Sequence, residues 1–179
     1  VAVVGCGGVG LNSIQGAALA GALRIIAIDT IESKLTLATQ FGATEVIDAS
    51  AGDVVQRVID MTDGGVDYSF EAIGLKETAE QCYEMLRAGG TATIIGMIPE
   101  GTKIEIDAGS FLRRERKIQG SSMGSNRFRT DMPRYIEFYK QGRLKLDELV
   151  SQHLKLDQLN QAFTDMKSGT VARSVIIFD

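Results

Sequence analysis

The chain opens with Val1-Ala2-Val3-Val4-Gly5-Cys6-Gly7-Gly8-Val9-Gly10, an apolar Val-rich run that meets glycine at position 5. Gly5, Gly7 and Gly10 stand in G-x-G-x-x-G spacing, and the residues after them read as a helix to about Gly21. Such spacing is weak on its own. It gains meaning where it follows a strand, opens a helix and has an acidic residue about 20 positions on. Asp29 meets that last condition, closing the next apolar run 19 residues after Gly10. Gly5 then permits the tight turn, Gly7 lets the backbone approach a diphosphate, and Gly10 lets helix and strand pack closely. Together with Gly8 and Val9, they start a helix whose free N–H groups and dipole favour negative charge. A carboxylate at position 29 accepts from ribose hydroxyls and repels a 2′-phosphate. With Thr30 next and no Arg between there and Arg57, the pattern favours NAD over NADP.

Working outward, apolar runs at Val1–Val4, Arg24–Asp29, Glu45–Asp48, Val66–Phe70, Gly90–Ile95 and Lys117–Ser121 read as strands. Helical patterns lie between them at Val9–Gly21, Glu32–Phe41, Ala51–Met61 and Lys76–Arg87. Apolar strands alternating with helices predict an α/β fold, a doubly wound parallel sheet with helices on both faces. Gly21, Gly42, Gly64–Gly65 and Gly89–Gly90 fall where helices should stop. Near residue 123 the rhythm changes. A helix capped by Thr130 or Asp131 runs to Gln141, a second spans Leu156–Lys167, and Arg173–Phe178 closes as a strand. The expected division is a dinucleotide-binding domain over 1–122 and a C-terminal α/β segment over 123–179.

The 179 residues carry 19 Lys+Arg against 23 Asp+Glu, a net charge of −4 that argues against an electrostatic nucleic-acid binder. No apolar run is long enough to span a membrane. Two Cys suit a reducing, cytoplasmic compartment and, with a single His, are too few for a zinc site within the chain. Starting inside a strand, without a signal peptide, the chain reads as a piece of a longer protein. Tyr-x-x-x-Lys is absent, His153 has no second His near it, and neither Cys6 nor Cys82 has a base beside it. The basic cluster Arg113, Arg114, Arg116 and Lys117 reads as a solvated face or a guarded sheet edge. Arg173 is either structural or a phosphate ligand. A loop that is glycine-rich for packing alone, and a methyltransferase-type fold, stay open at this point.

Several ordered motifs then resemble one family. Gly5-Cys6-Gly7-Gly8-Val9-Gly10 is followed by Ile25-Ile26-Ala27-Ile28-Asp29 and Phe41-Gly42-Ala43-Thr44. Gly64–Gly74, Gly89–Gly96, Tyr139–Leu144 and Met166-Lys167-Ser168-Gly169 with Arg173 continue the order. This is similar to zinc-containing medium-chain alcohol dehydrogenases, nearest the branch with glutathione- and mycothiol-dependent formaldehyde dehydrogenases and aryl-alcohol dehydrogenases.

The resemblance implies that Asp29 and Lys34 hold the adenosine ribose, that Val9 backs the nicotinamide, and that Ile73 and Gly74 line its ribose and ring. It implies backbone contacts to the carboxamide around Ile95, Met97, Ser121 and Met123, and a pyrophosphate contact from Arg173. Zinc, acting as a Lewis acid in the intact enzyme, would be held by residues before Val1, so these 179 residues alone are expected to be inactive. No catalytic residue is expected within them. The substrate implied is a primary or aromatic alcohol, or a thiol–formaldehyde adduct, and the assembly a homodimer or tetramer through the edge at Lys117–Ser121, with Ile98–Asp107 beside it. Rival readings are a zinc-independent quinone-reductase-like oxidoreductase, which Asp29 disfavours, and a non-catalytic NAD-sensing module.

Overall fold

A computed structural model describes residues 1–169 and 171–178. The chain divides into two compact units, 1–126 and 127 onward. In the first, strands β1 (Ala2–Val4), β2 (Ile26–Asp29), β3 (Glu45–Asp48), β4 (Val66–Glu71), β5 (Leu86–Ile94) and β6 (Lys117–Gly120) form one sheet. Helices α1 (Gly8–Leu19), α2 (Glu32–Gln40), α3 (Val54–Thr62), α4 (Lys76–Glu84) and α5 (Ala108–Arg113) connect them. Every strand pair is parallel and the order is β3-β2-β1-β4-β5-β6. The chain builds outward from β1 to β3, crosses back, and continues from β4 on the other side. With right-handed crossovers, this reversal puts α1 and α2 on one face and α3 and α4 on the other. The expected doubly wound sheet is the fold observed.

Strand periodicity assigns the two cores. Ala2, Val4, Ile26, Ile28 and Ile47 join Val54, Val58, Cys82, Tyr83 and Met85 in one buried cluster beneath α3 and α4. Val3 and Ala27, one residue out of phase, point the other way. A Cβ on Gly10 of α1 would lie 3.6 Å from Val3 Cγ1, which identifies that face as α1's.

Several boundaries differ from the sequence reading. The pair Gly89–Gly90 does not stop α4. That helix ends at Glu84, and the two glycines fall inside β5, where the ladder to β4 shifts register after Val66. Gly89 takes a left-handed φ of 77° and donates to the Arg114 carbonyl, so the glycine serves an irregular strand and not a helix cap. Asp63, at φ 53°, caps α3 in place of Gly64. Lys103–Ile106 alternates in exposure yet forms no ladder; Lys76 and Glu80 hold Glu105 against α4.

The second unit holds α6 (Phe128–Lys140), β7 (Gln152–Leu154), α7 (Leu159–Ser168) and β8 (Ser174–Ile176), with β7 and β8 pairing in parallel. Helix α6 begins earlier than expected, capped at Arg127, so Thr130 and Asp131 lie within its first turns. The Asp131 carboxylate reaches back to accept the Arg127 N–H at 2.8 Å, which supplies the cap from inside the helix. His153 is the middle of β7, the strand that leads into the helical turns before α7.

Candidate cofactor site

In an open parallel sheet, ligands bind beyond the carboxyl ends of the strands, at the point where the strand order reverses. Here that point lies between β1 and β4. The glycine loop leaves the end of β1, and its three signature glycines differ in the reason each is glycine. Gly5 takes φ +94°, and a Cβ there would approach Ile73 Cγ1 to 2.6 Å. A Cβ on Gly10 would stand 1.7 Å from the Gly5 carbonyl oxygen. Backbone conformation and packing explain these two. Neither explains Gly7, which has an ordinary φ of −78° and would direct a Cβ into open space. Gly7 caps α1 without any side-chain hydrogen bond, and the first turn carries no acidic residue. The result is an open twelve-residue helix N-terminus, suited to an anion that approaches the backbone closely.

Asp29 closes β2 and is almost fully buried. Its Oδ2 accepts the Cys6 N–H at 2.8 Å and its Oδ1 the Ile31 N–H at 3.1 Å. Lys34 Nζ lies 3.7 Å from Oδ2. The carboxylate therefore has a second task that sequence alone did not reveal: it ties the glycine loop to the end of β2. Two carboxylate oxygens offer about four acceptor positions, so capacity remains for hydroxyl donors.

Val9, Ile73, Met97 and Met123 are exposed around the same end of the sheet, Met97 at 94% and Met123 at 80%. Ile95 N–H donates to the Glu71 carbonyl at 2.9 Å, and Ser121 N–H donates to the Ile94 carbonyl at 2.9 Å. A Cβ on Gly74 would meet the Met97 backbone at 2.9 Å, so the turns after β4 and β5 adjoin. Thus Gly5, Gly7, Gly8, Val9, Gly10, Asp29, Lys34, Ile73, Gly74, Ile95, Met97, Ser121 and Met123 all belong to the carboxyl end of one sheet. Arg173 belongs to the second unit, where it is exposed; its carbonyl accepts the Ser151 N–H and its own N–H donates to the Ser151 hydroxyl. Sequence reasoning passed over Glu71, a fully buried carboxylate at the end of β4. Its signal was an acidic residue ending an apolar strand, the same signal that singled out Asp29.

Cys6 and Cys82 are buried free thiols. Burial, reinforced by the charge of Asp29, pushes Cys6 up to about 12; burial likewise raises Cys82. Burial and the upward shift both disfavour the thiolate that a nucleophile or metal ligand requires. Among the described residues no group of three or more His, Cys, Asp or Glu could hold a metal ion, so these residues do not fit a zinc site. No described helix is long and apolar enough to cross a membrane. A groove of about 670 Å³ lies at the opposite, amino-terminal end of the strands, lined by Val1, Gly21, Leu23, Arg24, Val66 and Arg87. It contains neither the glycine loop nor Asp29.

The fold and loop define a doubly wound, dinucleotide-type domain. Residues 8–141 match the family model described as zinc-binding dehydrogenase, and the chain belongs to that family. It is 42% identical over 178 residues to the probable S-(hydroxymethyl)glutathione dehydrogenase 1 of Schizosaccharomyces pombe, covering 98% of this chain and 47% of that protein. Benzyl alcohol dehydrogenase from Acinetobacter calcoaceticus superposes with a TM-score of 0.95 at 33% identity, over 99% of this chain and 49% of that one. A zinc-binding dehydrogenase structure from Sinorhizobium meliloti 1021 with NADP bound gives a TM-score of 0.90 at 32% identity, over 99% of this chain and 52% of that one. The chain spans about half the length of the relatives it matches.

Proposed function

We propose that this chain is the NAD-binding part of an alcohol dehydrogenase that transfers hydride from a primary or aromatic alcohol, or a thiol–formaldehyde adduct, to NAD. The observation that carries the reading is Gly7, which neither conformation nor packing requires to be glycine and which caps α1 with no side-chain hydrogen bond, beside a buried carboxylate. The packing-only reading of the loop accounts for Gly5 and Gly10 and leaves Gly7 without a reason.

NAD, when bound, accepts the hydride. The chain's own residues orient it. The α1 N-terminus takes the diphosphate, Asp29 and Lys34 the adenosine ribose, and Val9, Ile73 and Gly74 the nicotinamide ribose and ring. Backbone groups at Ile95, Met97, Ser121 and Met123 hold the carboxamide. The pyrophosphate role of Arg173 rests on its place in the matched motif. Residues 123–179 belong to the catalytic domain of the intact protein, with the zinc ligands and reacting groups outside these residues. The names of the relatives support the alcohol or formaldehyde-adduct class. Cytoplasmic residence, and a dimer or tetramer paired through the β6 edge, complete the proposal.

Calorimetric titration of the 179-residue chain tests it. NADH should bind, and NADPH should bind at least tenfold more weakly because Asp29 faces its 2′-phosphate; Asp29→Ala should narrow that gap. Binding of neither, or a preference for NADPH, refutes the assignment. S-adenosylmethionine bound in place of NADH would identify the methyltransferase alternative.

A further inference from the structure

Glu71 ends β4 at the point of strand reversal, in register with Val4 on one side and Ile94 on the other. It is fully buried, and a buried carboxylate must be supplied with donors. Oε1 accepts the Ile73 N–H at 2.9 Å, the Gly74 N–H at 2.8 Å and the Thr78 hydroxyl at 2.8 Å. The start of α4 thus faces a negative charge, the favourable sign for a helix N-terminus. The Glu71 carbonyl meanwhile accepts from both Ile95 N–H (2.9 Å) and Gly96 N–H (3.1 Å). Oε2 has no hydrogen-bond partner among the described residues and fills the space where a side chain at 96 would begin, 2.4 Å from a Cβ built on Gly96.

One residue therefore binds two segments, 72–75 by its side chain and 95–96 by its backbone. These contain Ile73, Gly74 and Ile95 and lead into Met97, the residues of the turns after β4 and β5 assigned above to the nicotinamide half. Asp29 and Lys34, assigned to the adenosine half, make no contact in this network. We infer that Glu71 is the positioning residue of the nicotinamide half of the site. Its carboxylate holds the Ile73–Gly74 turn against the end of β5, so that the turn is already ordered when the cofactor arrives. This rests on the dinucleotide reading. Without the charge the same donors are held more weakly, and binding must supply the missing order.

The test separates the halves of the ligand. NADH and ADP are titrated against wild type, Glu71→Gln and Thr78→Val by calorimetry, with the emission of bound NADH recorded alongside. Glu71→Gln should weaken NADH roughly tenfold, equal to about 1.4 kcal/mol, and leave ADP within about twofold. Thr78→Val, which removes one donor, should weaken NADH roughly threefold with the same selectivity. The emission of NADH bound to Glu71→Gln should shift toward that of free NADH. A structural role alone would lower both ligands together. Equal losses for NADH and ADP, or unchanged NADH in both variants, would overturn the inference while leaving the cofactor assignment intact. If wild type bound neither ligand, the cofactor assignment and this inference would fail together. Should Glu71→Gln not fold, the NADH/ADP ratio of Thr78→Val decides.

Discussion

The two units of this chain bury their apolar residues very differently. In the first, β1 and β2 are buried at every position, and Leu11, Ile14, Ile26, Ile28, Ile47, Met85 and Leu86 are essentially inaccessible. In the second, Leu149 and Ala162 are the buried apolar side chains among the described residues. One face of α6, made by Phe128, Met132, Tyr135, Ile136 and Tyr139 at helical spacing, stays exposed. Both regions have well-formed helices and strands, so regular secondary structure does not by itself indicate a finished core. A sheet covered on both faces closes its own core; a two-stranded sheet with one crossover helix cannot.

The largest effect expected from this contrast is on stability. Ile26→Ala empties a fully buried site and should cost about 2–5 kcal/mol, whereas Ile136→Ala, half exposed on α6, should cost under about 1 kcal/mol. Urea denaturation of the two variants measures the difference. Equal costs would show that α6 is covered in solution and break the comparison.

A smaller effect, on binding alone, sharpens the account of the first unit. Gly7→Ala places its methyl in open space and should leave the urea midpoint unchanged while weakening NADH at least tenfold, about 1.4 kcal/mol. A destabilised variant with unaltered binding would mean that Gly7 serves the fold and not a ligand.

The smallest effect is an expected absence of reaction. With Cys6 raised from 9.0 to about 12 and Cys82 raised as well, iodoacetamide at pH 8 should label neither thiol in the native chain and both in urea. The sign follows from burial, which disfavours thiolate; that contribution to stability holds below pH 9 and fades as pH climbs toward 12. Rapid native labelling of Cys6 would show that the glycine loop opens.

Much of the first unit was legible because its signals are local. Apolar runs of strand length, helical spacing between them, and glycine spacing with Asp29 at the right distance each lie within a short window. Register and bulges were less legible. Gly89–Gly90 looks like a helix stop in sequence and becomes part of an irregular strand only because β4, β5 and the Arg114 carbonyl converge there. The α6 cap was misplaced for a related reason. Neither Thr130 nor Asp131 is the N-cap, which falls at Arg127; Asp131 instead accepts the Arg127 N–H from four residues inside the helix.

By itself the sequence determined the α/β class, the position of the glycine-led helix start, the acidic residue at position 29 and the family resemblance. These depend on residue identity and spacing along the chain. Only the tertiary structure decided that β4 lies beside β1, that Gly7 is glycine for neither conformation nor packing, and that Asp29 also clamps the loop it serves. It alone showed Glu71 joining two segments more than 20 residues apart. The physical reason is that burial and hydrogen-bond partnership belong to neighbours in space. A strand-ending carboxylate acquires its role only when the surrounding donors converge on it.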